Sequence, residues 1–298
     1  MKLANAPCSW GILEFELEGE SPDYTQVLDE MSSIGYKGTE LGDWGFMPTD
    51  PSLLRDELEI RKLSLLGAFV PVNFIDADAH TLGEETALQH ARLLADTAGD
   101  TPFIVLADDN GSSEVRTQNA GRILAKHSLT TKQWDVYSKG VNRIAESILN
   151  ETGLRSVFHH HCAGFIETPD EIDRLLELTD PNHVGLCFDT GHYRFGGGVP
   201  IEIFDKHADR IWHVHFKDCE PEIAARSRQK ECDYFKSVGS GVFCELGKGE
   251  VDFPAFVVEL QQQKYDGWIV VEQDVLPGMG SPYDSAKRNY EYLKSIGI

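Results

Sequence analysis

Imidazoles and carboxylates crowd the ends of four short apolar runs in the second half of the chain: Phe158-His159-His160-His161, Phe188-Asp189-Thr190-Gly191-His192, His213-Val214-His215-Phe216-Lys217-Asp218 and Val271-Glu272-Gln273-Asp274. Side chains alternate along an extended chain, so His159 and His161 share one face, and His213 and His215 share another. One member of each pair can then reach a common centre. Mixed imidazole and carboxylate donors suit Mn, Co, Zn or Fe, with Mg gaining as the share of oxygen rises. An acid that closes an apolar strand just before Thr-Gly-His, as Asp189 does, is better placed for function than for capping a turn. Glu272 follows Trp268-Ile269-Val270-Val271, and leaving an acid unpaired there is costly enough that a metal partner is the simpler account.

Bringing four strand ends together requires a particular scaffold. Apolar runs at 3–7, 38–41, 64–70, 103–107, 156–160, 184–188, 211–215 and 268–272 alternate with helix-period segments at 24–34, 53–62, 84–98, 132–150, 170–178, 201–208, 254–263 and 285–295. Each strand followed by a helix predicts a parallel α/β sheet. Ser21-Pro22, Asp50-Pro51 and Thr168-Pro169 each place a capping oxygen before a proline at a helix start, and Thr168 with Glu171 forms a capping box. An open doubly wound sheet would carry a Gly-rich phosphate loop after its first strand, where this chain has Pro7-Cys8-Ser9-Trp10-Gly11. The pattern therefore predicts a single (β/α)8 barrel over residues 1–298, with a long loop insertion at about 219–248 after the seventh strand. In such a barrel the functional groups project from the carboxyl ends of the strands.

Composition narrows the function. Hydrophobic residues make up 41% and aromatics 10%, enough for a large core. Against 27 basic residues stand 49 acidic ones, a net charge of −22 that would repel a phosphate backbone, so nucleic acid is excluded as a partner. Lacking any run of about 18 apolar residues, the chain is expected in the cytoplasm and off the membrane. Six scattered cysteines without a Cys-x-x-Cys pair are expected as free thiols. A serine nucleophile finds no Gly-x-Ser-x-Gly elbow.

Five segments carry a family resemblance: APCSWG near the start, GTELG at 38–42, FDTGHY at 188–193, HVHFKD at 213–218 and VVEQD at 270–274. The chain resembles the xylose isomerase-like TIM barrel superfamily, and within it inosose dehydratases and sugar phosphate isomerases/epimerases. The resemblance implies one divalent metal (Mn, Co, Zn, Fe or Mg) held by Glu, Asp, His and Glu from strands five to eight. Asp189, His215 and Glu272 fill three of those positions, and His159 stands nearest the missing first Glu, with Glu167 or water as the alternatives. The family pattern makes His213 the buried, hydrogen-bonded partner of the liganding His215.

The expected reaction is abstraction of a proton alpha to a carbonyl through a metal-bound enediolate of a sugar or cyclitol. Glu272 or an imidazole among His159 to His161, foremost His161, would be the base. His192 would hold a substrate oxygen, Lys217 would neutralise developing charge and Asp218 would orient a ligand. Trp10, Glu40 and Phe69 are candidate substrate contacts, with Asp43 beside them. Expulsion of a β-hydroxyl gives a dehydratase, the favoured branch; reprotonation elsewhere gives an isomerase or epimerase. A catalytically silent sugar-binding barrel is the non-enzyme reading. A homo-oligomer is compatible with the sequence.

Overall fold

Strands form where short Val-, Ile-, Leu- and Phe-rich runs can be buried on both faces, as in Val184–Asp189, which is buried at every position. A computed structural model describes residues 1–12, 22–99, 101–276 and 278–298. Its strands are β1 (Lys2–Asn5), β2 (Gly38–Glu40), β3 (Ser64–Val72), β4 (Phe103–Asp108), β5 (Arg155–His159), β6 (Val184–Asp189), β7 (Ile211–Phe216), β8 (Asp218–Cys219), β9 (Phe243–Cys244) and β10 (Trp268–Val271). Eight of them close a parallel barrel in the order β1-β10-β7-β6-β5-β4-β3-β2, so strands adjacent in the βα series are adjacent in space. This is the (β/α)8 TIM barrel that the alternation predicts.

The crossover helices begin where capping chemistry places them. Asp50 accepts hydrogen bonds from Ser52 and Leu53 N–H at the start of the helix Pro51–Arg61. The Thr168/Glu171 capping box opens Pro169–Leu178. Ser21 lies outside the described residues, and Asp23 caps the helix Tyr24–Ile34. One layer of core lies between barrel and helices, and includes Leu28, Met31, Tyr137, Phe188 and Phe256. No helix among the described residues is long and apolar enough to cross a membrane.

Two segments depart from the sequence reading. After β6 the chain forms the short helix Thr190–Phe195, and Gly196-Gly197-Gly198 interrupts it, so only Phe204–His207 remains α-helical within 201–208. Residues 219–248 are a folded element rather than a long loop. The helices Pro221–Gln229 and Tyr234–Gly239 are capped by Glu220 and Asp233, and β8 pairs antiparallel with β9. Charge in this stretch is helix surface, while Tyr234, Val238, Val242 and Phe243 pack onto Phe195 and Cys162. Arg122 and Arg228 fasten the insertion to the barrel through the carbonyls of Cys232, Gly121 and Phe195.

Candidate metal centre

Adjacent strands β5, β6, β7 and β10 deliver His159, Asp189, His215 and Glu272 to one point at the carboxyl end of the barrel. One ligand atom from each lies within 4.8 Å of the others, and all four residues are buried. Backbone register sets this up, because Asp189 sits opposite His215, and His215 opposite Val270, two residues before Glu272. His159 Nε2 is 3.7 Å from Asp189 Oδ2, and His215 Nδ1 is 3.1 Å from Glu272 Oε1.

Several polar atoms at the centre make no hydrogen bond to protein. His159 Nδ1 and Nε2, Asp189 Oδ2 and His215 Nδ1 are buried without a hydrogen bond. Buried polar atoms are rarely left so, and a cation satisfies them together. Asp189 is divided between two tasks: Oδ1 accepts from His192 N–H at 2.7 Å and caps the helix after β6, which leaves Oδ2 for the centre. Burial pushes the carboxyls of Asp189 and Glu272 up, but His159 and Lys217 at the first, and His215 and Lys217 at the second, hold both below the usual range. The donor set fits a divalent first-row ion.

Around the centre lies a cavity walled by Phe69, His161, His192, Lys217, Tyr234 and Asp274. Lys217 Nζ is 3.1 Å from Glu272 Oε2, 3.5 Å from Asp274 Oδ1 and 3.3 Å from His192 Nε2. Burial pulls the ammonium down, but Asp274 and Glu272 outweigh it and keep Lys217 charged. Gly191 is required beside it, since a Cβ there would stand 2.7 Å from Lys217 Cγ. His161 Nδ1 is 3.2 Å from the Cys162 carbonyl, to which it donates, while its Nε2 has no partner. Burial, and after it the charge of His159, pull the His161 imidazole down to about 3. Glu40, at the end of β2, also reaches the cavity, and its Oε1 accepts from His213 Nε2 at 2.7 Å and His215 Nε2 at 2.9 Å.

Three residues take other places than expected. Trp10 is buried in the main core and donates its indole N–H to Glu30 Oε2 at 2.6 Å; it does not line the cavity. Glu167 stays outside the liganding cluster, because its two oxygens accept from Gly121 N–H and Ala163 N–H. Asp218 orients no ligand: it gathers the N–H groups of Gly247, Gly249 and Val251 and shapes the turn after β9. Tyr234 and Asn110 join the cavity without having stood out in the sequence. Tyr234 lies in the segment read as loop, and Asn110 follows β4 with no motif around it. Asp274 was visible, two residues beyond Glu272, but its contact with Lys217 depends on where β7 ends.

Comparison with known proteins places this geometry. The profile of the family described as xylose isomerase-like TIM barrel matches residues 28–296. The chain belongs to this family. Among members of the xylose isomerase-like family, it is 34% identical over 297 residues to the inosose dehydratase of Geobacillus kaustophilus (strain HTA426), covering 99% of this chain and 94% of that protein. Of solved structures, a 3-keto-D-glucoside 4-epimerase from E. coli superposes with a TM-score of 0.71 at 16% identity, covering 99% of both chains. A zinc-bound IOLI protein superposes with 0.68 at 14% identity, covering 99% of this chain and 98% of that one. At those identities the two structures speak for the fold alone.

Proposed function

We propose that this chain is a metal-dependent dehydratase of an inosose-type keto-polyol. The observation that carries the reading is the convergence of four buried donors in a chain one-third identical to an inosose dehydratase along its full length. A divalent ion held by His159, Asp189, His215 and Glu272 would place positive charge beside the substrate carbonyl and acidify the adjacent C–H.

His161 is the residue the geometry favours for removing that proton. Its Nδ1–H is spent on the Cys162 carbonyl, so the lone pair sits on the unpartnered Nε2 at the cavity wall. Glu272 is the weaker candidate, because Oε1 faces His215 and Oε2 faces Lys217. Once protonated, His161 returns the proton to the β-hydroxyl oxygen as its C–O bond breaks. The C–H proton and the hydroxyl leave together as water, and the C–H electron pair becomes the new C=C bond.

His192 and Lys217 hold the substrate. Cys162 N–H donates to His192 Nδ1 at 3.2 Å, which puts the ring proton on Nε2, 3.3 Å from the Lys217 ammonium. Two donors facing each other call for an acceptor, and a hydroxyl or carbonyl oxygen of the polyol supplies it. The same base and metal-binding residues would also serve a second reading, in which the proton is returned to carbon as in an epimerase. Incubation of the Mn-reconstituted protein with an inosose, followed by mass spectrometry, separates them. A product lighter by one water supports dehydration, an isomeric product the second reading, and no turnover the silent barrel.

A further inference from the structure

We infer that Glu40 is a positioning residue: it fixes the tautomer of His215 so that Nδ1 is presented to the metal. The inference rests on the reading of His215 as a ligand. Three observations carry it. First, one carboxylate oxygen of Glu40, on β2, receives hydrogen bonds from both histidines of β7, His213 Nε2 at 2.7 Å and His215 Nε2 at 2.9 Å. A carboxylate only accepts, so each imidazole carries its proton on Nε2. Second, the ring nitrogen of His215 left to take a cation is Nδ1, which has no hydrogen-bond partner and lies on the side of Glu272. Third, Glu40 is 4% exposed, so the carboxylate is not a solvated group free to leave its two donors.

The same three residues, Glu40, His213 and His215, could themselves form a cation site by distance alone. The hydrogen bonding argues otherwise. The donors that face Asp189 and Glu272 are orphaned, whereas Glu40 Oε1 and both Nε2 atoms already satisfy each other. One centre wants a cation; the other is complete without one. Histidine ligands commonly donate their second N–H to a carboxylate, and loss of that partner weakens metal affinity by roughly 10–100-fold.

The test is Mn(II) affinity of the full chain, measured by competition with a chelating dye in the parent, Glu40→Gln and Glu40→Leu, with imidazole ¹⁵N spectra of the metal-free proteins. Loss of Mn affinity by about 10–100-fold in Glu40→Leu, a smaller loss in Glu40→Gln, whose amide oxygen still accepts, and loss of the fixed Nε2–H form of His215 in Glu40→Leu are expected. Parental Mn affinity in both variants, or a raised KM at saturating Mn with affinity unchanged, overturns the assignment and makes Glu40 a substrate contact. Should Glu40→Leu not fold, Glu40→Gln decides alone: weakened Mn binding supports the assignment and parental binding overturns it. A parent that binds no Mn would instead remove the metal reading on which this one rests.

Discussion

His215 Nδ1 lies 3.1 Å from Glu272 Oε1, with Glu40 occupying the Nε2 side of the ring. That contact needs a proton or a cation between the two atoms, and a divalent ion would serve His215 and Glu272 together with His159 and Asp189. Dialysis against a chelator is therefore expected to abolish turnover and lower the melting temperature, and added Mn(II) to restore both. Metal at a hundred times its Kd contributes about 2.7 kcal/mol to the folded state, which a thermal melt with and without the ion will read.

His161 offers a direct separation of base from ligand. Replacement by Ala should leave metal content unchanged and reduce kcat by about 10²–10⁴-fold, the usual worth of a positioned general base. Steady-state kinetics on the Mn-loaded variant checks this. Turnover within a factor of about 3 of the parent would lie outside that range and move the base to another residue.

Arg116 is fully buried and pairs with both oxygens of Glu171 at 2.8 Å, while its Nε donates to the Gly164 carbonyl at 2.7 Å. The pair ties the helix Glu114–Asn119 to the helix Pro169–Leu178, and the bond to Gly164 ties it to the loop that follows the histidine triplet. Arg116→Met leaves a buried carboxylate uncompensated and should destabilise the fold by about 3–5 kcal/mol, measured by urea denaturation. Replacing both partners by apolar residues should recover much of that loss.

Glu167 gives a pH signature. Burial, opposed by Arg116 and the two accepted N–H bonds, raises its carboxyl from 4.5 to about 7. At Glu167 the folded state then binds more protons than the unfolded state between those values, so the contribution of this residue to stability falls as pH rises through this window. Urea unfolding of the parent minus that of Glu167→Gln, followed from pH 4 to 8, should decline between about 4.5 and 7 and level off above. A flat difference would show that Glu167 ionises normally.

Much of this architecture is written locally. Eight apolar runs and the capping oxygens of Asp50 and Thr168 mark the βα alternation, because burial of a strand and saturation of a helix start are short-range requirements. The residues that converge as His159, Asp189, His215 and Glu272 were visible because barrel function collects where strands end. Tertiary pairing is what the chain hides. Nothing local says that Arg116 will meet Glu171, that Trp10 will turn to Glu30, or that Glu40 will cross the barrel interior to two histidines of β7. The folded insertion is masked for another reason: its helices, Pro221–Gln229 and Tyr234–Gly239, are nine and six residues long, too short for a helical period to stand out among their charges.

The central claim is that the four strand-end residues hold a metal, and elemental analysis of the purified protein tests it most directly. Near-stoichiometric Mn, Co, Zn or Fe is predicted in the parent, and its loss in Asp189→Asn, which keeps the Oδ1 acceptor that caps the following helix, and in His215→Ala. A folded parent that contains no metal and takes up none when Mn, Co, Zn or Fe is added would contradict the account.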